Sequence, residues 1–140
     1  MEAAYQKGIL SVIASGNNAA PAANYSPASA PNGLTVGATN IVNAQNWYSN
    51  YGASVDLLAP GAQMISAWIG SNTATHMTEG TSQAAPHVAG VALYLKALYS
   101  GLESPAAVRT KIMDIATKGV ITGLDSATPN VLVYNGNGAV

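Results

Sequence analysis

Apolar runs alternate with polar, glycine- and proline-rich stretches along the chain. The run "ILSVIAS" (9–15) is nearly continuous and rich in branched side chains. That pattern predicts a strand covered on both faces, as in a parallel sheet. Ahead of it, "EAAYQK" (2–7) has the composition of a helix end, with Gly8 placed as its cap. "LTVGATN" (34–40), "VDLLAPG" (55–61) and "QMISAWIG" (63–70) are further strand candidates, the second stopped by Pro60 and Gly61. Residues 17–33 and "NAQNWYSNYGA" between the strands are polar and turn-rich, and are expected to be loops.

Helical spacing takes over at residue 81. Val88, Val91, Leu95 and Leu98 recur at intervals of three and four up to about residue 99, and the low charge of "AAPHVAGVALYL" predicts a buried helix. A second helix is expected over 105–116, with Ser104 as its N-cap and Pro105 at the first helical position. The tail "TPNVLVYNGNGAV" holds one short strand and then Gly/Asn punctuation. Strands interleaved with helices imply an α/β fold with a mostly parallel sheet. A helix feeding a parallel strand expects an earlier strand, so the pattern starts in mid-fold.

Composition narrows the functional classes. The chain is 49% hydrophobic and 8% charged, with a formal net charge of -1. Such a balance suits a packed domain rather than a disordered one. The five basic residues are scattered singly, which argues against nucleic acid as a partner. No apolar run approaches a membrane span, and the start "MEAAYQKG" lacks the apolar core of a secretory signal. With no cysteine, thiolate and zinc–thiolate chemistry are excluded.

The chemistry concentrates in "EGTSQAAPHVAG" (79–90). A serine hydroxyl needs a base to take its proton and donors for the oxyanion it creates. At a helix start, Ser82 has free N–H groups beside it, and Gly80 lets another group approach the backbone closely. A bare Gly-Thr-Ser is more simply an ordinary helix cap. Asn17 and Asn18, after the first strand, could likewise form nothing more than a turn.

The string "GTSQAAPHVAG" resembles the active-site serine motif of the subtilisin-like serine proteases, with Gln83 where methionine is usual. The resemblance extends through "VIASGNN", "NYSPASAPNGLTVGATN", "SNYGASVDLLAPG" and "ISAWIG", in the order of the proteinase K-like branch. It implies a doubly wound, mostly parallel sheet with helices on both faces, of which residues 1–140 are the C-terminal part and the N-terminal portion is missing. It also implies peptide-bond hydrolysis with Ser82 as nucleophile and Asn17 as oxyanion donor. Ala14, Ser15 and Gly16 would line the substrate pocket, and Tyr25 would lie nearby. Pro31, Gly33 and Asp56 match the positions of a structural calcium site, although Asp56 could equally be a solvated strand end. The family implies an extracellular setting and a polypeptide substrate.

The family's Asp and His precede the matched segments, so the triad is incomplete in this chain, and the missing N-terminal half is an expected partner. His87 follows Ser82 by five helical steps, a rotation of about 140° away from it. His76 lies in an irregular approach to the motif. Glu79 stands where the family has Ser or Asn, close enough to oppose an oxyanion. An α/β-hydrolase is excluded: Ala84 stands where its motif needs glycine, and no His follows Asp114 or Asp125. A non-catalytic remnant that binds a peptide or a partner chain remains the alternative.

Overall fold

The computed structural model describes residues 1–137. Its main sheet runs in the order β1-β2-β3-β7-β6, where β1 is Ser11–Ala14, β2 Gly33–Thr39, β3 Leu57–Pro60, β6 Thr117–Lys118 and β7 Val131–Leu132. β1, β2, β3 and β7 are parallel, and β6 is antiparallel to β7. β2 is buried at every one of its seven positions. It lies between β1 and β3, so both its hydrogen-bonding edges are satisfied and both its faces are covered.

Alternation along β2 and β3 builds two cores. Leu34, Val36, Ala38, Leu57 and Ala59 belong to one; Leu58 belongs to the other, with Ala22, Ala28, Val55 and Ile121. Helix α2, Thr81–Leu98, packs on the first face through Ala84, Val88, Ala92 and Leu95. That spacing keeps one stripe against the sheet. Helix α3, Pro105–Ile115, adds Val108 and Ile112 to the same core. Ser104 caps it as expected: its Oγ accepts the Ala107 N–H at 3.1 Å. Loop segments around Ala22, Ala28 and Ile121 cover the opposite face.

Differences from the sequence pattern have local causes. The opening helix α1 spans only Glu2–Tyr5. The chain then turns at Gly8, φ +80°, where Gly8 N–H donates to Tyr5 O and Ile9 N–H to Ala4 O. These are the two bonds of a Schellman cap, which stops the helix early. β1 is shorter than its apolar run and only Ile13 in it is buried, because among the described residues β1 is an edge strand. The run 63–70 yields β4, Met64–Ala67, which pairs antiparallel with β5, Thr75–Thr78. β5 is exposed at three of its four positions, so it carries no hydrophobic pattern to announce it. α2 is buried along one stripe rather than all round: Leu93 and Leu98 face outward. Residues 138–140 of the expected tail lie outside the described residues.

These packings predict a contrast within α2. Leu95 is 1% exposed and Leu98 57%. Leu95→Ala is expected to destabilise the chain by about 2–5 kcal/mol, the usual range for a buried leucine. Leu98→Ala should stay within about 0.5 kcal/mol of the parent. Urea unfolding of the two variants measures the difference.

Candidate active site

The parallel strands bring β1 and the start of α2 to the same edge of the sheet. β1 ends at Ala14, and the chain leaves it through Ser15, Gly16 and Asn17. Ser15 is fully buried, and its N–H still donates to Val36 O of β2. Asn50 fastens this turn. Its Nδ2 donates to Ser15 O at 2.9 Å, while its Oδ1 accepts Asn18 N–H at 2.9 Å and Ala20 N–H at 3.2 Å. The Asn50 backbone N–H donates to Gly16 O, and its own carbonyl accepts the Ser15 hydroxyl. Gly16 has φ +105°, and a methyl there would stand 2.4 Å from Asn50 Nδ2. Only glycine fits that backbone beside that amide. Asn50, completely buried, was not singled out from the sequence; an asparagine in a polar loop gives no sign that it is internal.

The turn delivers Asn17 to the tip of α2. Asn17 Oδ1 accepts both the backbone N–H of Thr81, at 2.9 Å, and its hydroxyl, at 2.8 Å. Thr81 Oγ1 in turn accepts Gly16 N–H at 3.2 Å. With its oxygen so held, the Asn17 amide turns Nδ2 toward Gly80. A methyl on Gly80 would lie 3.3 Å from Asn17 Nδ2 and 3.6 Å from the Ser82 backbone nitrogen. Two donors therefore face one small space over Gly80. The Gly80 carbonyl takes the N–H groups of Gln83 and Ala84, leaving Ser82 N–H without an acceptor among the described residues. At the second position of the helix, that free N–H is the kind of group that binds an anion. Gly80, φ +151°, adopts a backbone that favours glycine.

Ser82 is exposed at the wall of a groove of about 420 Å³ that also touches Met64, Trp68, Gln83, Pro86 and His87. His87 and Ser82 thus share a groove in spite of their angular separation on the helix. They are not hydrogen-bonded: His87 Nδ1 is engaged with Gln83 O at 2.8 Å. His76, on β5, stacks against Trp68 with ring centres 4.6 Å apart. No base contacts Ser82 Oγ among the described residues. Gln83 Oε1 stands 2.8 Å from the point where a Gly80 methyl would be, so its carboxamide leans over the same space as the two donors.

Glu79 belongs to a different cavity, of about 670 Å³, together with Asn40, Asn43, Asn46 and Gln63. Neither Asn17 nor Ser82 lines it. Burial raises the Tyr48 phenol above its ordinary pKa, and the Glu79 charge adds to this. Tyr48 therefore keeps its proton and donates to Gly61 O at 2.9 Å. Gly61 O also accepts Gly80 N–H at 2.8 Å, tying the end of β3 to the loop before Ser82.

Pro31, Gly33 and Asp56 come together in a polar pocket of about 230 Å³, well apart in the chain from Ser82. Burial pushes the Asp56 carboxyl up, against the Thr35 N–H and the Arg109 charge, which pull it down. Tyr25 packs against the core cluster that contains Ala22 and Leu58.

The Subtilase family model matches residues 1–131. Alkaline protease 1 of Aspergillus clavatus is 54% identical over 136 residues, which are 97% of this chain and 33% of that protein. Subtilisin-like proteinase Mp1 of Magnaporthiopsis poae is 52% identical over 138 residues, 97% of this chain and 34% of the relative. A solved structure of a cold adapted subtilisin-like serine proteinase matches with a TM-score of 0.88 at 38% identity, covering 96% of this chain and 48% of that one. The chain spans about a third of the length of the curated relatives it matches.

Asn50→Ala is expected to remove three side-chain hydrogen bonds and strand buried partners. At about 1 kcal/mol for each bond, it should cost about 3 kcal/mol in chemical denaturation. Asn50→Asp should also destabilise, because a carboxylate cannot donate to Ser15 O.

Proposed function

The chain belongs to the subtilase family, and on that premise we propose that it carries the nucleophile and the oxyanion site of a serine endopeptidase. The observation that supports this most directly is the convergence of Asn17 Nδ2 and Ser82 N–H over Gly80. The Ser82 hydroxyl attacks the substrate carbonyl carbon, and the carbonyl oxygen takes the negative charge into the space between those two donors. On collapse of the tetrahedral intermediate the C–N bond breaks, the amine leaves with the proton that the general base took from Ser82, and an acyl-enzyme remains on Ser82 Oγ. Water then releases the acid by the reverse sequence. Because Asn17 Oδ1 is held twice by Thr81, its Nδ2 needs no reorientation as the charge develops. Gln83 has to swing its Oε1 aside at that moment, since an acceptor there opposes an oxyanion.

The proton on Ser82 needs a base, and neither histidine is hydrogen-bonded to the serine. In this reading the general base and its orienting carboxylate come from a part of the domain outside these 140 residues, packed beside β1. Ala14, Ser15 and Gly16 lead directly into Asn17 and form one wall of the substrate pocket. The substrate is a polypeptide and the working place extracellular, both on the strength of the family.

Two measurements test the reading. In a domain that includes the upstream segment, Asn17→Ala should lower kcat by about 10²- to 10³-fold with little change in KM, the loss known for the oxyanion asparagine of subtilisin itself. The 140 residues alone should neither cleave peptides nor label rapidly with a fluorophosphonate. Ser82-dependent cleavage by the purified chain alone would put the base within these residues. Failure of Ser82 to label in the longer domain would favour a non-catalytic, peptide-binding remnant.

A further inference from the structure

The pocket formed by Pro31, Gly33 and Asp56 is the calcium position implied by the family resemblance, and its oxygens test that expectation. Asp56 Oδ2 accepts the Thr35 N–H at 2.7 Å. Asp56 Oδ1 pairs with Arg109 Nη2, and Gly33 O accepts Arg109 Nη1 at 3.0 Å. One guanidinium fork thus engages two of the three residues that the resemblance implies as calcium ligands. Arg109 lines the same pocket as Pro31, Gly33 and Asp56. No second carboxylate does so among the described residues.

Charge and geometry both set the two cations in competition. Calcium takes six to eight oxygens at about 2.3–2.6 Å, so it would compete with the guanidinium for Gly33 O and Asp56 Oδ1. Asp56 supplies a single negative charge, and Arg109 already balances it. A divalent ion added to that pair would bring net positive charge into a pocket whose carboxylate is only 17% exposed. A planar guanidinium matches a carboxylate and a neighbouring carbonyl better than a point charge does, since its donors diverge at fixed angles. Its position is built in: Ser104 caps α3, and Val108 and Ile112 anchor the helix in the core on either side of Arg109. The donor set therefore does not fit a resident calcium ion.

We infer that Arg109 is the resident cation of this pocket: it clamps the starts of β2 and β3 to α3, and calcium binds there only when Arg109 is withdrawn. The inference is independent of catalysis by Ser82.

The test is calcium binding to the 140-residue chain, followed by calorimetric titration and thermal melting, in chelator and in about 10 mM calcium. That concentration exceeds the ~0.1–1 mM dissociation constants of extracellular calcium modules. The parent chain should show no saturable binding at this pocket and the same Tm in both conditions. Arg109→Gln should melt lower than the parent in chelator, gain Tm in calcium, and lose that gain when combined with Asp56→Asn. An Arg109→Gln chain that is unfolded in chelator should fold on adding calcium. Calcium binding by the parent that Asp56→Asn abolishes would overturn the assignment. So would an Arg109→Gln chain that is indifferent to calcium, whether folded or unfolded.

Discussion

The double hydrogen bond from Thr81 to Asn17 Oδ1 is the constraint on which the site depends. It joins positions 64 residues apart in the chain and fixes both ends of the contact at once. On one side it fills a backbone N–H that the first turn of α2 cannot satisfy internally. On the other it decides which atom of the Asn17 amide faces inward. An amide free to flip would present oxygen as readily as nitrogen, and the space over Gly80 would then be faced by an acceptor instead of a donor. The hydroxyl of Thr81 closes the arrangement by accepting Gly16 N–H, which leaves Asn17 Nδ2 as the free donor of this small network among the described residues.

Around that contact the fold brings backbones unusually close together. Tyr48 and the Gly80 N–H both converge on the Gly61 carbonyl. A methyl on Gly61 would lie 2.7 Å from Gly80 O and equally near Ala38. Gly16 and Gly80 occupy backbone regions that other residues enter at a cost. The site is therefore made largely of main chain and amide side chains, held at the carboxyl ends of parallel strands, where open α/β sheets leave a crevice. Its polarity costs little because nearly every donor and acceptor finds a near neighbour. The exceptions among the described residues are Asn17 Nδ2 and Ser82 N–H, the two donors beside Gly80.

Much of this was legible in the sequence, and the rest was hidden for identifiable reasons. The helix starts near Thr81 and Pro105, the Ser104 cap and the buried strands β2 and β3 rest on local rules of turn, cap and periodicity, and the structure places each within a few residues, whereas the significance of the string around Ser82 was legible only through family resemblance. The hairpin partner β5 was not legible because an exposed two-stranded ribbon has no apolar face to advertise it. Asn50 and Arg109 were missed for another reason. Both act through partners distant in the chain, 35 residues from Ser15 and 53 from Asp56, and neither a polar loop residue nor a lone basic residue on a helix signals such a partner. Pro31, Gly33 and Asp56 were grouped only through family resemblance, whereas the guanidinium that bridges Gly33 and Asp56 comes from a helix with no motif of its own.

The length of the Asn17–Thr81 span has a temporal consequence. Closing so long a loop carries an entropic cost that is recovered only when the sheet and α2 are in place around it. Until then Asn17 Nδ2 and Ser82 N–H are not brought together, one belonging to a loose turn and the other to a fraying helix end. The arrangement around Ser82 thus arrives with the last long-range contacts rather than with the first secondary structure.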